Sequence, residues 1–447
     1  MRSSGDPKPS VAIIGGGWAG LSCALRLARA GHRPIVYESA PEVGGRARRA
    51  QLDGYDRDNG QHLMLSGCKA LTALFAEIGV ALPTDAFAYR NTEGGFSLAG
   101  RHGRSGLLLG LMGASCFSLS DRLRLLKALI TLQWRGWQVP AHETVLQWLL
   151  TQQQTPALVH QFWAPLILAV LNTPLEIATM ARLVPVLRDT LGAGADALQI
   201  VQPPDDLSAS IVEPLVAAIQ AAGGVVRCGQ RITAITQTIT NVTAVNNAPR
   251  DPQRYEIHIA GTTVPQTFDQ VVLAVPPWSL TKLDVPFATA DLCLRFGAQP
   301  IATVYLGFDA RVGLPTPLVQ IDGPLPADAR VWVMDRAHCG EPGVLAVSLS
   351  AEGPWCTLTH GDLAAACAAR VQAALQITSP CLWQKAVVVH RATYAATLTA
   401  RLNDGEAEPL PGLWLTGDWT HPHYPATLEA AVASGFDTAN RILQSHT

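Results

Sequence analysis

The sequence predicts an α/β protein in which a Rossmann-like dinucleotide-binding domain is interleaved with a second domain of mixed sheet and helices. Four apolar residues, Val11–Ile14, have the pattern of a buried parallel strand. The glycine spacing Gly15-x-Gly17-x-x-Gly20 follows at once, and a second strand pattern ends in the acid Glu38. With 447 residues the chain is longer than one ordinary hydrophobic core needs, so we expect two domains.

The three glycines have separate roles in such a motif. Gly15 permits the tight turn after the strand, Gly17 lets a pyrophosphate approach the backbone, and Gly20 lets the next helix pack close to the strand. Apolar residues at positions 21, 24, 25 and 28 predict that helix, and Gly31 is placed to end it. A glycine-rich turn in an ordinary βαβ unit is the alternative interpretation.

Polar residues after the second strand extend the predicted dinucleotide site. Glu38 lies where an acid accepts hydrogen bonds from the ribose hydroxyls, with Ser39 beside it. The segment Gly44-Gly45-Arg46 suits a loop that wraps a phosphate, with the Arg46 guanidinium as a charge-assisted donor.

Composition limits the classes of function. The net charge is −2, which argues against a nucleic-acid partner. Charged residues make up 15% of the chain, against about 25% in an average soluble protein. The nine cysteines have no C-x-x-C pairs or nearby histidines at zinc spacing, so we expect reduced thiols, no metal site and a cytoplasmic location. The polar N-terminus predicts no signal peptide, and the lack of a long apolar run predicts no spanning helix.

A turn at Asn59-Gly60, followed by Gln61 and His62, comes after the short segment ending at Tyr55. Together with the glycine motifs, this stretch resembles the FAD-dependent amine oxidase and phytoene desaturase superfamily. Three later stretches, residues 171–174, 417–419 and 424–429, are similar to the hydroxysqualene dehydroxylase family within it. The likeness extends over nearly the whole chain, from about residue 11 to residue 442.

The resemblance implies FAD as cofactor and an amine oxidase-like two-domain flavoprotein. The residues that it places against FAD are Gly15, Gly17, Trp18, Ala19, Gly20, Glu38, Ser39, Gly45, Arg46, Gly60, Gln61, His62, Arg231, Ile232, Gly417, Asp418, Ala426, Thr427 and Leu428. The positive end of the C-terminal helix would then face the N1/O2 edge of the flavin. No second dinucleotide motif is convincing, because the glycines at 192–194 do not follow a strand pattern.

The reaction implied by the resemblance is the reductive removal of the hydroxyl of hydroxysqualene, giving squalene, with hydride from the flavin. A hydroxyl is a poor leaving group and needs a proton donor. His62, His421, His423 and Tyr424 flank the flavin-contacting motifs, and we expect His62 and Tyr424 to be the catalytic residues. For each of them a purely structural role is the alternative.

Three other functions stay open. A phytoene or carotenoid desaturase would use the flavin in the opposite direction, removing hydride from a polyene. An amine oxidase is disfavoured because none of the five lysines lies in a motif that we place at the flavin ring. A non-catalytic, FAD-binding lipid carrier in a squalene-synthesis complex is the third.

The predicted domains are discontinuous. Residues 1–85, 200–290 and 405–447 form the FAD-binding domain, and residues 86–199 and 291–404 form the substrate domain. In the first, we expect a strand at 225–228 that continues over 230–235, and a C-terminal helix over 426–440. In the second, residues 106–119 are an apolar stretch, and we expect the turn at 172–174 to aim polar groups into an apolar pocket. A basic helix capped by Ser120-Asp121, with apolar residues at 123, 126, 129, 130 and 134, either packs on its own domain or rests on an anionic membrane. The expected partners are thus a C30 isoprenoid substrate, the inner face of the cell membrane and other enzymes of the squalene pathway.

Overall fold

The structure, a computed structural model, describes residues 8–52, 54–92, 95–99, 105, 110, 113–238 and 254–445. Residues 106–109, 111 and 112, at the start of the apolar stretch 106–119, lie outside these residues. Each of the nine cysteines lies within them and is free.

A five-stranded parallel sheet, here called the nucleotide sheet, lies at the centre of the described chain. Its spatial order is Val225–Arg227, Ile35–Tyr37, Val11–Ile14, Gln270–Leu273 and Leu413–Leu415. All four residues of the central strand Val11–Ile14 are buried, as expected for a parallel sheet covered on both faces. The predicted Rossmann-like unit is therefore confirmed, with its helix at Trp18–Arg29.

The first and last helices pack against each other on one face of the nucleotide sheet. A Cβ atom on Gly435, in the C-terminal helix Leu428–Gln444, would lie 2.3 Å from the backbone oxygen of Ala19. Only glycine permits this approach, because real Cβ atoms do not come within 3.0 Å of such a neighbour. The C-terminal helix therefore packs directly against the backbone of Ala19, at the start of the helix Trp18–Arg29.

One strand prediction is wrong. The sequence suggested that residues 230–235 continue the strand at 225–228, but Ile232–Thr238 belongs to an antiparallel sheet with Arg254–Ile259 and Gln266–Phe268. The chain turns at Gly229, which has φ +70°. Its N–H donates to the Ala40 oxygen, which ends the parallel pairing there.

A seven-stranded mixed sheet forms the second layer, as predicted for the substrate domain. Its order is Trp383–Tyr394, Ala298–Gly307, Val344–Ser350, Val331–Asp335, Leu318–Ile321, Ala88–Asn91 and Phe96–Ala99. The helix His360–Leu375 covers one face, where Val304 and Leu306 pack against Leu363 and Val371. Residues 303 and 305 point to the opposite face, since side chains alternate along a strand.

The helices between residues 119 and 189 pack around an apolar core of their own, which contains Trp148 and Trp163. The helix Leu119–Trp134 begins earlier than predicted, because Ser118, not Ser120, is the N-cap. The Ser118 hydroxyl accepts from the Asp121 N–H at 3.2 Å, and the Asp121 carboxylate accepts from the Ser118 N–H at 3.1 Å. Over the ranges that the structure describes, no helix is both long and apolar enough to cross a membrane.

Smaller elements complete the described chain. Further strands are Arg49–Leu52, Tyr55–Asp58, Met64–Leu65, Thr84–Ala86 and Gln199–Val201. Further α-helices are Lys69–Ile78, Val145–Thr151, Pro156–Leu158, Ala164–Leu171, Met180–Asp189, Glu213–Ala221, Pro277–Leu280 and Ala290–Leu294. The glycines at 192–194 follow the helix Met180–Asp189 and not a strand, in agreement with their rejection as a nucleotide motif.

Candidate active site

The first turn of the nucleotide sheet leaves space at one glycine and none at the other two. A Cβ atom on Gly15 would lie 2.4 Å from the Ala274 oxygen, and one on Gly20 would lie 2.1 Å from the Gly15 oxygen. A Cβ atom on Gly17 would meet only Gly45, at 3.8 Å from its Cα. Gly17 and Gly45 therefore form two sides of a gap in which a ligand can come close to the backbone. A bound pyrophosphate needs such a close approach.

Glu38 lies at the carboxyl end of the strand Ile35–Tyr37. Its carboxylate accepts from the N–H groups of Gly16 and Ala40, each at 2.8 Å, and from the Ser39 hydroxyl at 3.2 Å. These bonds fix the acid beside the glycine turn and leave acceptor lone pairs for ribose hydroxyls.

Arg231 and Ile232, which the sequence analysis places against FAD, have different environments. The N–H of Gln230 donates to the Glu38 backbone oxygen at 2.8 Å, which brings this segment beside the predicted ribose acid. Arg231 is exposed, whereas the Ile232 side chain is buried in the core that contains Ile14.

Arg46 and Asp418 are brought together although 372 residues separate them in sequence. An Arg46 Nη2 to Asp418 Oδ1 distance of 2.5 Å joins them, and Nη1 donates to the Ala392 oxygen at 3.0 Å. Asp418 is buried and follows Gly417, whose N–H donates to Ser434. Both Nη atoms of Arg46 therefore donate to protein groups, and a bound phosphate would share these donors with them.

The loop 59–62 lies against the strand Ala298–Gly307. The Tyr305 hydroxyl donates to the Asp58 backbone oxygen at 2.7 Å and accepts from the Gln61 amide at 3.0 Å. Burial raises the pKa of Tyr305, so it stays a neutral donor. This single tyrosine fixes both the backbone and one side chain of the loop.

Buried polar atoms collect at the same loop. Asn59 Oδ1, His62 Nε2 and Thr303 Oγ1 are each buried, and none of the three has a hydrogen-bond partner among the described residues. Burial, followed by the positive charge of Arg46, lowers the pKa of His62 to about 4. His62 is therefore a neutral imidazole near pH 7.

Tyr424 lies on the turn before the C-terminal helix and donates its hydroxyl proton to Asp189. Burial, then this bond, raises the pKa of Tyr424. Burial opposes ionisation of Asp189, but hydrogen bonds from Arg188, at 2.7 and 2.8 Å, and from Tyr424 lower its pKa overall. Tyr424 therefore keeps its proton, which points at a carboxylate.

The Tyr424 turn is held by a buried arginine. Arg182 donates to the backbone oxygens of His421, Tyr424 and Ala400 at 2.5, 2.8 and 2.9 Å. The His421 ring accepts from the Tyr424 N–H at 2.9 Å, and burial, then Arg182 and His423, lowers the pKa of His421 to about 4. His421 thus has a structural role, and His423 is exposed.

The C-terminal helix Leu428–Gln444 begins two residues after Ala426, where the sequence predicted its start, and it ends four residues later than predicted. Thr427 is its N-cap, with the hydroxyl accepting from the Ala430 N–H at 3.2 Å. Ala426, Thr427 and Leu428 are half-exposed. The next residue, Glu429, accepts hydrogen bonds through its carboxylate from the Ala70 and Leu71 N–H groups of the helix Lys69–Ile78, at 2.8 and 2.9 Å.

The sequence missed Thr303, Tyr305, Arg182 and Asp189. Thr303 and Tyr305 are polar residues on one face of an apolar strand, and Arg182 is the one charged residue among residues 180–187 of its helix, so the sequence contained a signal for each. The turn at 172–173 was expected to aim polar groups into an apolar pocket. Instead, Asn172 donates to the Pro300 oxygen and to the Thr393 hydroxyl at 3.2 and 2.8 Å, and so it contacts the strands Ala298–Gly307 and Trp383–Tyr394.

These features fit a bound flavin nucleotide. A gap beside Gly17 would accept a pyrophosphate, and Glu38 lies at the predicted ribose position. The buried Asn59 Oδ1 has no hydrogen-bond partner among the described residues, and such an atom costs free energy unless a ligand or water satisfies it. Gly60 and Gln61 would contribute backbone and amide to the same ligand.

Comparison with known proteins agrees with this geometry. Residues 18–443 match the family of flavin containing amine oxidoreductases. The hydroxysqualene dehydroxylase of Rhodopseudomonas palustris is 29% identical, over 97% of this chain and 98% of that protein. The 15-cis-phytoene desaturase of an Oncidium hybrid cultivar is 23% identical, over 100% of this chain and 80% of that protein.

A solved putrescine oxidase with bound putrescine shares the fold, with a TM-score of 0.71, 16% identity and coverage of 98% and 99% of the two chains. The resemblance found in the sequence motifs is confirmed by these matches. The chain therefore belongs to the flavin containing amine oxidoreductase family, and it is an oxidoreductase whose cofactor is FAD.

Proposed function

We propose that this protein removes the hydroxyl group of hydroxysqualene reductively and forms squalene. The observation that carries the proposal is the similarity to the Rhodopseudomonas palustris hydroxysqualene dehydroxylase, which extends over 97% of the chain. The proposed FAD contacts and the domain limits are those derived from the sequence.

The polar groups at the loop 59–62 suit a neutral alcohol. All five lysines, Lys8, Lys69, Lys127, Lys282 and Lys385, are exposed, so none is buried beside this loop. The charge of Arg46 disfavours protonation of His62 and would equally repel a substrate ammonium group. Amine oxidation is therefore the weaker proposal.

The overall change replaces C–OH by C–H, consuming a hydride and a proton and releasing water. When bound, FAD supplies the hydride, after reduction by a two-electron donor. The protein must hold the carbon–oxygen bond in place, provide the proton and exclude water from the carbon that is left.

His62 and Tyr424 remain the proposed catalytic pair. Because His62 is neutral near pH 7, it acts through a hydrogen bond from or to Nε2 and not as an imidazolium acid. Tyr424 carries a proton that it donates to Asp189, so as the proton donor it would exchange this bond for one to the substrate hydroxyl. We expect His62→Ala and Tyr424→Phe each to lower turnover while flavin content is retained, and unchanged rates in both would place the proton donor elsewhere.

An anaerobic single-turnover experiment tests the function. The flavin is reduced, hydroxysqualene is added in detergent, and flavin absorbance and products are followed together. Reoxidation with stoichiometric squalene supports dehydroxylation. Absence of reoxidation, together with bleaching of the oxidised flavin by phytoene, would instead support a desaturase, which the similarity to the Oncidium enzyme keeps as second candidate.

We also propose that the helix Leu119–Trp134 rests on the anionic inner face of the cell membrane. Leu119, Leu123, Ile130 and Trp134 are 75%, 67%, 43% and 88% exposed, whereas Leu125, Ala128 and Leu132 are buried beneath them. We call the four exposed residues the apolar stripe. Its spacing keeps all four near one side of the helix.

The charges beside the apolar stripe favour anionic lipid. Arg124, Lys127 and Arg135 are exposed, and the helix's only acid, Asp121, is buried in its N-terminal cap. Basic residues next to an exposed apolar face are typical of helices that lie in the membrane interface. A C30 substrate would also partition into that membrane.

Vesicle flotation tests this contact. Because each large side chain contributes about 1.5–3 kcal/mol of burial, Leu123→Ser with Trp134→Ser should lower partitioning into phosphatidylglycerol-containing vesicles at least tenfold. Leu294→Ser is the matched control, since Leu294 is 83% exposed on another helix. Equal flotation of the double variant and wild type would refute the membrane contact.

A further inference from the structure

Two buried polar atoms face one point beside Gly60. A Cβ atom built on Gly60 would lie 3.8 Å from His62 Nε2 and 3.8 Å from Thr303 Oγ1. Both atoms are sealed from solvent, and neither has a hydrogen-bond partner among the described residues. We call the space between them the Gly60 niche.

One wall of the Gly60 niche is rigid. Thr303 is 1% exposed and lies in the middle of the strand Ala298–Gly307, paired on both sides with neighbouring strands. Tyr305, two residues further on the same face, holds the loop through the Asp58 oxygen and Gln61. Thr303 Oγ1 is therefore kept at a fixed position, and because both free atoms are sealed from solvent, a ligand reaches them when the His62 ring moves.

The chemistry of the Gly60 niche selects a neutral group that both donates and accepts. The Thr303 hydroxyl can do either, and neutral His62 does one or the other according to its tautomer. A cation is disfavoured by Arg46, whose charge already lowers the pKa of His62. An alcohol hydroxyl, with one proton and two lone pairs, satisfies both atoms at once.

We propose that the Gly60 niche binds the hydroxyl group of the substrate alcohol, with Thr303 as a positioning residue and specificity determinant. The identity of the alcohol rests on the proposed function. A product that lacks the hydroxyl leaves both atoms unpaired, so the niche favours the alcohol over the hydrocarbon.

The test compares affinities in FAD-loaded, oxidised protein. Dissociation constants for hydroxysqualene and squalene in detergent are measured from the change in flavin absorbance, and their ratio is the readout. Thr303→Val keeps the shape and removes the hydroxyl, and we expect it to lower the preference for the alcohol about two- to tenfold. Thr303→Ser should restore it.

Thr179→Val is the matched control. The Thr179 hydroxyl is likewise buried without a partner in the described chain, but Thr179 is the N-cap of the helix Met180–Asp189 and not part of the loop 59–62. The Thr179→Val protein should prefer the alcohol as strongly as wild type does. Thermal unfolding of the ligand-free variants checks that each is folded.

The outcomes separate the two proposals. An unchanged preference in folded Thr303→Val overturns the hydroxyl site, as does a loss confined to FAD affinity or to the ligand-free flavin spectrum, which would assign the niche to the cofactor. Wild type that prefers the alcohol through Thr303 but never forms squalene overturns the proposed function and supports the site.

Discussion

Substitution of Gly17 by alanine should separate folding from cofactor binding. Gly17 has φ −79° and ψ 177°, extended values that any residue adopts, and its Cβ would lie 3.8 Å from the nearest neighbour. The new methyl group therefore costs the protein little, and we expect stability within about 1 kcal/mol of wild type. The methyl group projects into the gap shared with Gly45.

The loss of FAD affinity can be worked from that gap. A pyrophosphate kept away from the turn loses one or two charge-assisted hydrogen bonds, each contributing about 1.5–3 kcal/mol. A loss of about 3 kcal/mol corresponds to a dissociation constant about 150-fold higher. Valine at the same position should abolish detectable binding.

The assay is titration of apo-protein with FAD, followed by flavin fluorescence, beside urea unfolding of the same apo-protein. Gly20→Ala is the contrasting variant, because its Cβ would lie 2.1 Å from the Gly15 oxygen and the backbone itself must move. It should lose stability as well as flavin. A folded Gly17→Ala protein with wild-type FAD affinity would refute the assignment of this turn to the pyrophosphate.

Three further predictions concern the groups around the loop 59–62 and the C-terminal turn. The pKa of His62 is lowered from 6.5 to about 4, so the unfolded chain binds more protons between these pH values and stability falls as pH drops through them, by up to about 3 kcal/mol. His62→Gln should remove that part of the pH dependence of urea unfolding, and an unaltered profile would contradict it. Arg182→Met leaves three backbone oxygens without their donor and should cost about 3 kcal/mol in urea unfolding, whereas a cost below about 1 kcal/mol would show the turn to be held by other contacts. Arg46→Lys cannot bind both Asp418 and Ala392, so FAD affinity should fall about tenfold in the fluorescence titration, and an unchanged affinity would exclude Arg46 from the cofactor site.

Local sequence patterns were enough to predict the first strand and helix of the nucleotide sheet. The strand Val11–Ile14, the helix after it and the glycine spacing are determined by neighbours in sequence, so they could be predicted together with Glu38. The strand at 230–235 was misassigned because a positive φ at Gly229 redirects the chain, and a continuous apolar pattern does not reveal such a turn.

The sequence by itself determined the fold class, a dinucleotide site and the turn at 59–62, since each depends on residue types at short, fixed spacing, and its resemblance to a known family implied that the dinucleotide is FAD. Only the tertiary structure decided which distant groups meet there. Thr303 reaches the loop from a strand of the other sheet, and Asp189 reaches Tyr424 from a helix 235 residues earlier. The burial that makes His62 neutral and leaves its Nε2 without a partner likewise arises from packing between segments far apart in the chain, which no local pattern records.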